Sequence, residues 1–303
     1  MSLAYGSREV FAMIKSSKGE AAFSLINYMF LTAIALVSIY PLIYTLSLSL
    51  SSAAEASRMG FHLFPRRISL TAYKMVLING DLYKAFGNTI FRTAAGTTGA
   101  LIITSMFAYP MSRAYMPLRK QLMLIVIFAM LFDGGIIPLY LLIKNLRLID
   151  NRLVYILPSL IGAYNAIIMI NSFKALPESL VESAKLDGAR EMTVLFRIIL
   201  PLSKPVLATV ALWSAVGQWN TWMDGLLYIN SNDKQILQIF LQRIVKQSQL
   251  SIEAGMTNVD VMSYTAETVT SATIIVTILP ILFVYPYVQK YFVKGIMLGS
   301  VKG

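Results

Sequence analysis

Long stretches without any charged side chain are the feature of this sequence that most restricts its fold. Five of them contain no Asp, Glu, Lys or Arg, and a sixth is interrupted only by Asp133; they span residues 21–54, 93–112, 121–143, 153–173, 205–223 and 268–289. Each is long enough to cross a hydrocarbon core of about 30 Å as a helix, which takes about 20 residues. Helices satisfy their own backbone hydrogen bonds in lipid. The pattern therefore predicts an all-α membrane protein with six transmembrane helices.

Composition agrees with this fold and excludes several kinds of site. The chain is 56% hydrophobic and 14% charged, against roughly 25% charged residues in soluble domains. It has no cysteine and a single histidine, His62, which excludes disulfides, thiolate sites and histidine-based metal clusters or triads. The sequence contains no Gly-x4-Gly-Lys-Ser/Thr phosphate loop. We therefore predict a chain that is not an enzyme and holds no cofactor or metal itself.

The net charge of +11 is spread over the short loops between the predicted spans. No basic run occurs, so membrane orientation is a better interpretation of this charge than nucleic-acid binding. Placing the N-terminus inside gives the inner loops slightly more Lys and Arg than the outer ones. Arg92 lies near one end of the second span, where we expect its guanidinium to extend to the membrane interface.

Asp133 is the acidic residue inside a predicted span. It begins the sequence DGGIIP, whose glycines and Pro138 indicate a bent helix. Two interpretations of its carboxylate stay open: it caps nearby backbone amides at a structural break, or it faces a pore.

A dense polar and aromatic patch lies at the outer end of the fifth span. It consists of Gln218, Trp219, Asn220, Trp222 and Asp224. Tryptophans at this depth are typical of an interfacial aromatic belt. The alternative is a saccharide-facing surface, because indole rings stack on pyranose faces while amides and carboxylates bond hydroxyl groups.

Both interpretations can hold if different members of the patch face lipid and pore. The candidate substrate pathway consists of these five residues together with Asn165 of the fourth span.

The polar segment 174–204 interrupts the apolar pattern, with VESAKLDGAREMTVLFRIILPL at its centre. Pro177 and an acidic first turn are typical of a helix start, and Gly188 permits a tight turn. Apolar residues at i, i+3, i+4 and i+7 then predict one apolar helix face; they are Met192, Leu195, Phe196 and Ile199. The segment is predicted to be a helix–turn–helix outside the bilayer.

Such a hairpin either rests on lipid as an amphipathic helix or docks into a protein cleft. Its first helix is rich in acidic residues and lacks the basic face that anionic lipid favours, so we prefer docking. At these residues the sequence resembles the EAA motif of ABC importer permeases, which reads Glu-Ala-Ala, three residues, Gly, nine residues, Ile-x-Leu-Pro. The matching positions are Glu182, Ser183, Ala184, Gly188, Ile198, Leu200 and Pro201, with Ser183 in place of the first alanine and the usual acidic Asp187 before the glycine.

Two other stretches carry the resemblance further. QKYFVKGIMLGSVKG, at the C-terminus, resembles the smaller permease of maltose-type importers. DGGIIPLYLLIKNLRLIDNRLVYILPSLI resembles the oligosaccharide branch, which includes polysaccharide, aldouronate and alginate-saccharide permeases. The resemblance covers essentially the whole chain from the first span onward.

The resemblance implies a type I ABC importer transmembrane domain that forms half of a pore. Its expected partners are a second, homologous permease, two cytoplasmic ATPase subunits that bind ATP and Mg, an extracytoplasmic binding protein, the saccharide and membrane lipid. It implies that the chain lies in a bacterial cytoplasmic membrane with both termini on the cytoplasmic side. The expected organisation is a cytoplasmic segment 1–22, a permease domain 23–294 containing the coupling segment 174–204 and the outer loop 227–267, and a cytoplasmic tail 295–303; residues 51–84 and 144–152 are the other outer loops.

Within the motif, we expect Glu182 to make a polar contact with the ATPase. Ala184 and Gly188 are expected to keep the helix surface small enough for a cleft. Two other functions stay open: the same architecture carrying a non-sugar solute, and an ion-driven secondary transporter. The absence of an internal repeat speaks against the second.

Overall fold

The computed structural model describes residues 18–56, 63–253 and 265–300. Within these ranges the chain is helical, apart from turns and one isolated bridge between Ser51 and Ile68. In chain order the helices are α1 (Lys18–Ser49), α2 (Thr71–Ile78), α3 (Gly80–Ser112), α4 (Arg119–Leu131), α5 (Ile136–Asn145), α6 (Ala163–Lys174), α7 (Glu178–Leu186), α8 (Glu191–Leu202), α9 (Lys204–Asn220), α10 (Met223–Tyr228), α11 (Leu237–Glu253) and α12 (Ala266–Ser300). The all-α fold class is confirmed. His62 and the outermost parts of the two predicted terminal segments lie outside the described residues.

Two helices are, by length and apolarity, able to cross a membrane: Ala22–Ser49 within α1 and Ala266–Val284 within α12. Three helix pairs qualify together but are bent at a short break. The pairs are α4 with α5 at 112°, Arg152–Ser159 with α6 at 47°, and α8 with α9 at 86°. Counting each pair as one span gives up to five candidates among the described residues. The predicted span 93–112 lies in the 33-residue helix α3, and the number six stays a prediction.

The break predicted near Asp133 is present between α4 and α5. Gly135 has a φ of 84°, which favours glycine. The Asp133 carboxylate accepts a hydrogen bond from the Gly135 amide at 2.9 Å. This bond caps a backbone amide at the bend, as the structural interpretation of Asp133 expects.

The centre of the fold is a packed group of α3, α6 and α9. The three helices contact one another, and Gly96 of α3 permits their close approach, because a Cβ there would lie 2.6 Å from Nε2 of Gln218. By contrast, α1 contacts α12 while its apolar side chains stay exposed, as at Phe23 and Val37. That exposure is the surface a lipid-facing helix presents.

The described parts of the regions predicted as long outer loops are largely helical; residues 57–62 and 254–264 of these loops lie outside the described residues. Residues 51–84 contain the four-residue helix Ala53–Ala56 and α2, and residues 227–267 contain the 17-residue helix α11. α11 buries Leu237 and Phe240 against a cluster that includes Trp219. The mean hydropathy of α11 is too low to predict a membrane span. Only the helical period of its apolar residues indicates a helix in the sequence.

Candidate functional site

The polar segment forms the predicted helix–turn–helix, which we call the α7–α8 hairpin (residues 178–202). Its turn depends on Gly188, whose φ is +80°. The Gly188 amide donates to the Lys185 carbonyl at 3.0 Å, and the Ala189 amide donates to the Ala184 carbonyl at 2.9 Å. These two bonds form a Schellman motif, which closes the end of α7 and requires a left-handed residue at this position.

The two faces of α7 have opposite environments. Val181 and Ala184 are buried in a core cluster formed with the ends of α3 and α6. Ala184 is therefore part of the chain's own core, which does not fit its expected role of keeping an outward surface small. The motif residues on the other face are exposed; they are Glu182, Ser183 and Asp187. Leu186 lies among them and is 90% exposed, which is unusual for a leucine beside a packed core.

The predicted apolar face of α8 divides in two. Leu195 and Ile199 are buried, whereas Met192 and Phe196 are 54% and 47% exposed. A π turn at Leu195–Ile199 widens the helix at this point and rotates the later residues away from the 3.6-residue period.

The end of the motif lies where α8 bends into α9. Ile198 and Leu200 are half-buried, and Pro201 is exposed.

One carboxylate ties the hairpin to the end of α3. Glu191 accepts hydrogen bonds from the hydroxyls of Tyr109 at 2.7 Å and Tyr115 at 3.2 Å. Lys185 forms an ion pair with Glu191 at 2.7 Å, and its ammonium also donates to Tyr115 at 2.9 Å. We call these four residues the Glu191 cluster. Burial alone would raise the pKa of Glu191, but the bonds from Lys185 and Tyr109 outweigh it and hold the pKa below its usual value.

A second polar cluster lies in the N-terminal half of α3, around Arg92. Its guanidinium pairs with both carboxylate oxygens of Asp224, at 2.7 and 3.2 Å. It also donates to the side chain of Gln218 at 3.1 Å and the carbonyl of Thr221 at 3.0 Å, and lies 4.7 Å from the ring centre of Tyr155. We call these five residues the Arg92 cluster. Arg92 is only 2% exposed, so the expectation that it extends to the membrane interface is wrong.

The Arg92 cluster includes two residues of the predicted substrate patch, which are therefore engaged within the chain. Gln218 and Asp224 bind Arg92, and Trp219 is 8% exposed and packs edge-on against Phe86 at 6.4 Å. The structure therefore buries Gln218 and Trp219, and it engages the half-buried Asp224 in an ion pair within the chain. The other candidates are at its surface: Asn220 is exposed, while Trp222 and Asn165 are half-buried. Asn220 and Trp222 line a shallow pocket together with Val216, Gly217, Thr221 and Met223.

An aromatic pair that the sequence analysis missed continues this surface. Tyr164 and Trp213 are 57% and 37% exposed, with ring centres 5.7 Å apart. Trp213 precedes Val216 and Asn220 by three and seven residues, which places all three on one face of α9. It lies about 10 Å along the helix from Asn220. The sequence does contain a signal for Trp213, namely its position inside the predicted span. An interfacial aromatic belt explains only tryptophans near the ends of a span.

Comparisons with known proteins find a matching family profile and similar proteins over almost the whole chain. The profile of the family described as "Binding-protein-dependent transport system inner membrane component" matches residues 100–297. Protein LplC of Bacillus subtilis is 41% identical over 95% of this chain and 97% of its own. The polygalacturonan/rhamnogalacturonan transport system permease protein YtcP of the same species is 40% identical, over 93% of this chain and 98% of its own.

A chain from the crystal structure of a bacterial ABC transporter involved in the import of the acidic polysaccharide alginate superposes with a TM-score of 0.84. It is 34% identical, and the match covers 91% of this chain and 98% of that one.

Proposed function

The chain belongs to the family of binding-protein-dependent transport system inner membrane components, and from this premise we propose that it forms half of the pore of an ATP-driven oligosaccharide importer. The observation that carries the proposal is the two-faced α7 helix. One face is built into the core of the membrane helices, and the other presents Glu182, Leu186 and Asp187 outward. A force that a neighbouring subunit exerts on the outward face of this helix is transmitted to the membrane spans.

The proposed assembly contains a second, homologous permease, two ATPase subunits and a binding protein. The ATPase subunits hold ATP and Mg and each receive one hairpin, so hydrolysis takes place outside this chain. Both termini and the hairpin are cytoplasmic, and the tail 295–303 lies between the ATPase subunits. The segments 51–84, 144–152 and 227–267 lie on the outer side, and the last of them contacts the binding protein.

The mechanism follows from how the hairpin is packed. Closure of the ATPase subunits on ATP moves the cytoplasmic hairpins toward each other. Because Val181 and Val194 share a core cluster with Phe173 of α6 and Val210 of α9, the inner ends of these helices move with the hairpin. Alternating access then results from rigid-body rotation of the spans against the second permease.

Leu186 is expected to be the main apolar contact with the ATPase, since it is 90% exposed on the outward face. Burying a leucine stabilises by about 1.5–3 kcal/mol. We therefore expect Leu186→Glu to reduce the amount of ATPase that co-purifies with the permease by more than about tenfold. Leu146→Glu is the matched control, because Leu146 is 58% exposed and lies at the proposed outer end. Equal ATPase recovery from both variants would contradict the contact.

The saccharide class is proposed from the relatives and from the chemistry of the α9 surface. Aromatic rings and amides on one face suit an oligosaccharide. Ligand screening of the cognate binding protein by thermal shift tests this directly, with neutral and acidic oligosaccharides beside amino acids and anions. Stabilisation by an oligosaccharide supports the proposal; stabilisation by another solute alone favours the same architecture with a different cargo.

We propose that the substrate pathway of this subunit consists of Tyr164, Asn165, Trp213, Asn220 and Trp222. Stacking of an aromatic ring contributes about 0.5–1.5 kcal/mol beyond area burial. Trp213→Ala is therefore expected to raise the KM for saccharide transport about two- to tenfold, while basal ATP hydrolysis stays unchanged.

The control for Trp213→Ala is Phe128→Ala. Phe128 is 63% exposed and stacks on Phe132 at 5.2 Å, so it is also half of an exposed aromatic pair, but it lies on α4. An unchanged KM in Trp213→Ala, or the same increase in both variants, would contradict a role of Trp213 in the pathway.

A further inference from the structure

We propose that the Glu191 carboxylate is the joint through which movement of the α7–α8 hairpin is carried into α3. This inference rests on the proposed importer function and adds a specific transmission element to it. Glu191 is outside the matched motif positions, and its partners come from three parts of the chain. Lys185 belongs to α7, Tyr109 to the last turns of α3, and Tyr115 to the connection after α3.

The apolar side chains of the hairpin pack against the end of α3, and the Glu191 cluster adds directional bonds to that packing. Apolar packing is non-directional, whereas hydrogen bonds to a charged group are directional and about twice as strong as neutral ones. Tyr109 is only 5% exposed, so its bond to Glu191 is shielded from water on the tyrosine side, which strengthens it. The Arg113 guanidinium lies 5.0 Å from the centre of the same ring and helps to hold its orientation.

The position of this joint in the hairpin is also distinctive. Four ion pairs occur among the described residues, and Lys185–Glu191 is the one inside the α7–α8 hairpin. The remaining three join Lys84 with Asp81, Arg92 with Asp224, and Lys234 with Asp150. The bonds of the Glu191 cluster resist a displacement of the hairpin relative to α3, so α3 moves together with the hairpin.

In its N-terminal half α3 carries Arg92, which binds Asp224 of α10. From Arg92 to Tyr109 the helix extends about 26 Å at 1.5 Å per residue. α3 thus connects a charged joint at the hairpin with a charged joint beside the surface pocket at Asn220. A continuous helix held at these two points transfers displacement from the ATPase side to the outer side of the pore.

The test uses the complete transporter in liposomes, with both permeases, the ATPase and the saccharide-loaded binding protein. Glu191→Gln removes the charge while keeping the side-chain size, and Tyr109→Phe removes one hydroxyl. For each we expect the saccharide transported per ATP hydrolysed to fall by at least about fivefold, with ATPase co-purification unchanged. The double variant is expected to resemble the single ones, since both break the same joint.

Two matched controls lie in the first turn of α3, before Arg92. Asp81→Asn breaks an exposed carboxylate–lysine pair with Lys84, at 3.6 Å. Tyr83→Phe removes a hydroxyl that donates to the Leu77 carbonyl at 2.8 Å. Both are expected to leave the transport-to-hydrolysis ratio unchanged.

The outcomes separate the two proposals. A ratio in Glu191→Gln and Tyr109→Phe equal to that of the unmodified chain overturns the joint and leaves the importer function intact. Absence of saccharide-stimulated hydrolysis in the unmodified complex overturns the importer function itself. If Glu191→Gln fails to assemble, Tyr109→Phe decides, because its hydroxyl lies inside the chain and away from the proposed ATPase contact.

Discussion

Arg92→Met is expected to destabilise the permease domain by about 3–5 kcal/mol, the range observed when one partner of a buried ion pair is removed. The guanidinium is 3% exposed and the Asp224 side chain 19% exposed. Methionine fills a similar volume but leaves the carboxylate without its main partner, and Gln218 loses its bond as well. The measurement is the thermal unfolding transition of the purified transporter in detergent.

Two further variants make this result specific to the pair. Arg67→Met changes an exposed arginine and is expected to unfold at the temperature of the unmodified protein. Asp224→Leu added to Arg92→Met is expected to recover part of the loss, because replacing both members of a buried pair by apolar groups is often nearly neutral. Unfolding of Arg92→Met at the same temperature as Arg67→Met would show that the pair contributes no net stability.

Gly188→Leu is expected to give a transporter that assembles but loses saccharide-stimulated ATP hydrolysis. The φ of +80° at this residue is about 1–2 kcal/mol less favourable for a residue with a Cβ than for glycine. The left-handed conformation of the turn therefore becomes about 5–30 times less populated relative to other backbone conformations. The strain falls on the Schellman turn that sets the direction of α7 against α8. Hydrolysis by the reconstituted complex, with and without the loaded binding protein, measures the effect.

The comparison with asparagine identifies the cause of the Gly188 effect. Nothing in the described chain lies within 4 Å of a Cβ at Gly188, so the chain itself has space there. Asparagine adopts left-handed backbone more readily than leucine, and Gly188→Asn is expected to keep most of the stimulation. An equal loss in both variants would instead point to a partner surface that has no room for a side chain. Gly87→Leu is the control, since Gly87 is exposed on α3 and equally free of neighbours.

Much of the architecture follows from the sequence because the bilayer imposes a simple requirement on length and polarity. Charge-free stretches predicted the all-α fold, and the acidic, glycine-broken stretch around Asp187 predicted the α7–α8 hairpin. The DGGIIP sequence predicted the bend after Asp133. These features depend on neighbours within a few residues, since hydrogen bonds of a helix and the backbone freedom of glycine are local properties.

Which polar residues are available for function was decided only by the tertiary structure. Arg92 and Asp224 are 132 residues apart in the chain, and no local pattern indicates that they pair. Without that pair, Arg92 is a lipid-edge arginine and Asp224 a saccharide ligand. With it, Arg92 is buried and the half-buried Asp224 is its partner, and the open surface shifts to Trp213 and Tyr164. The sequence by itself determined the helices and the hairpin, whereas three-dimensional packing determined which side chains are buried, because burial of a charge depends on a partner that only the folded chain supplies.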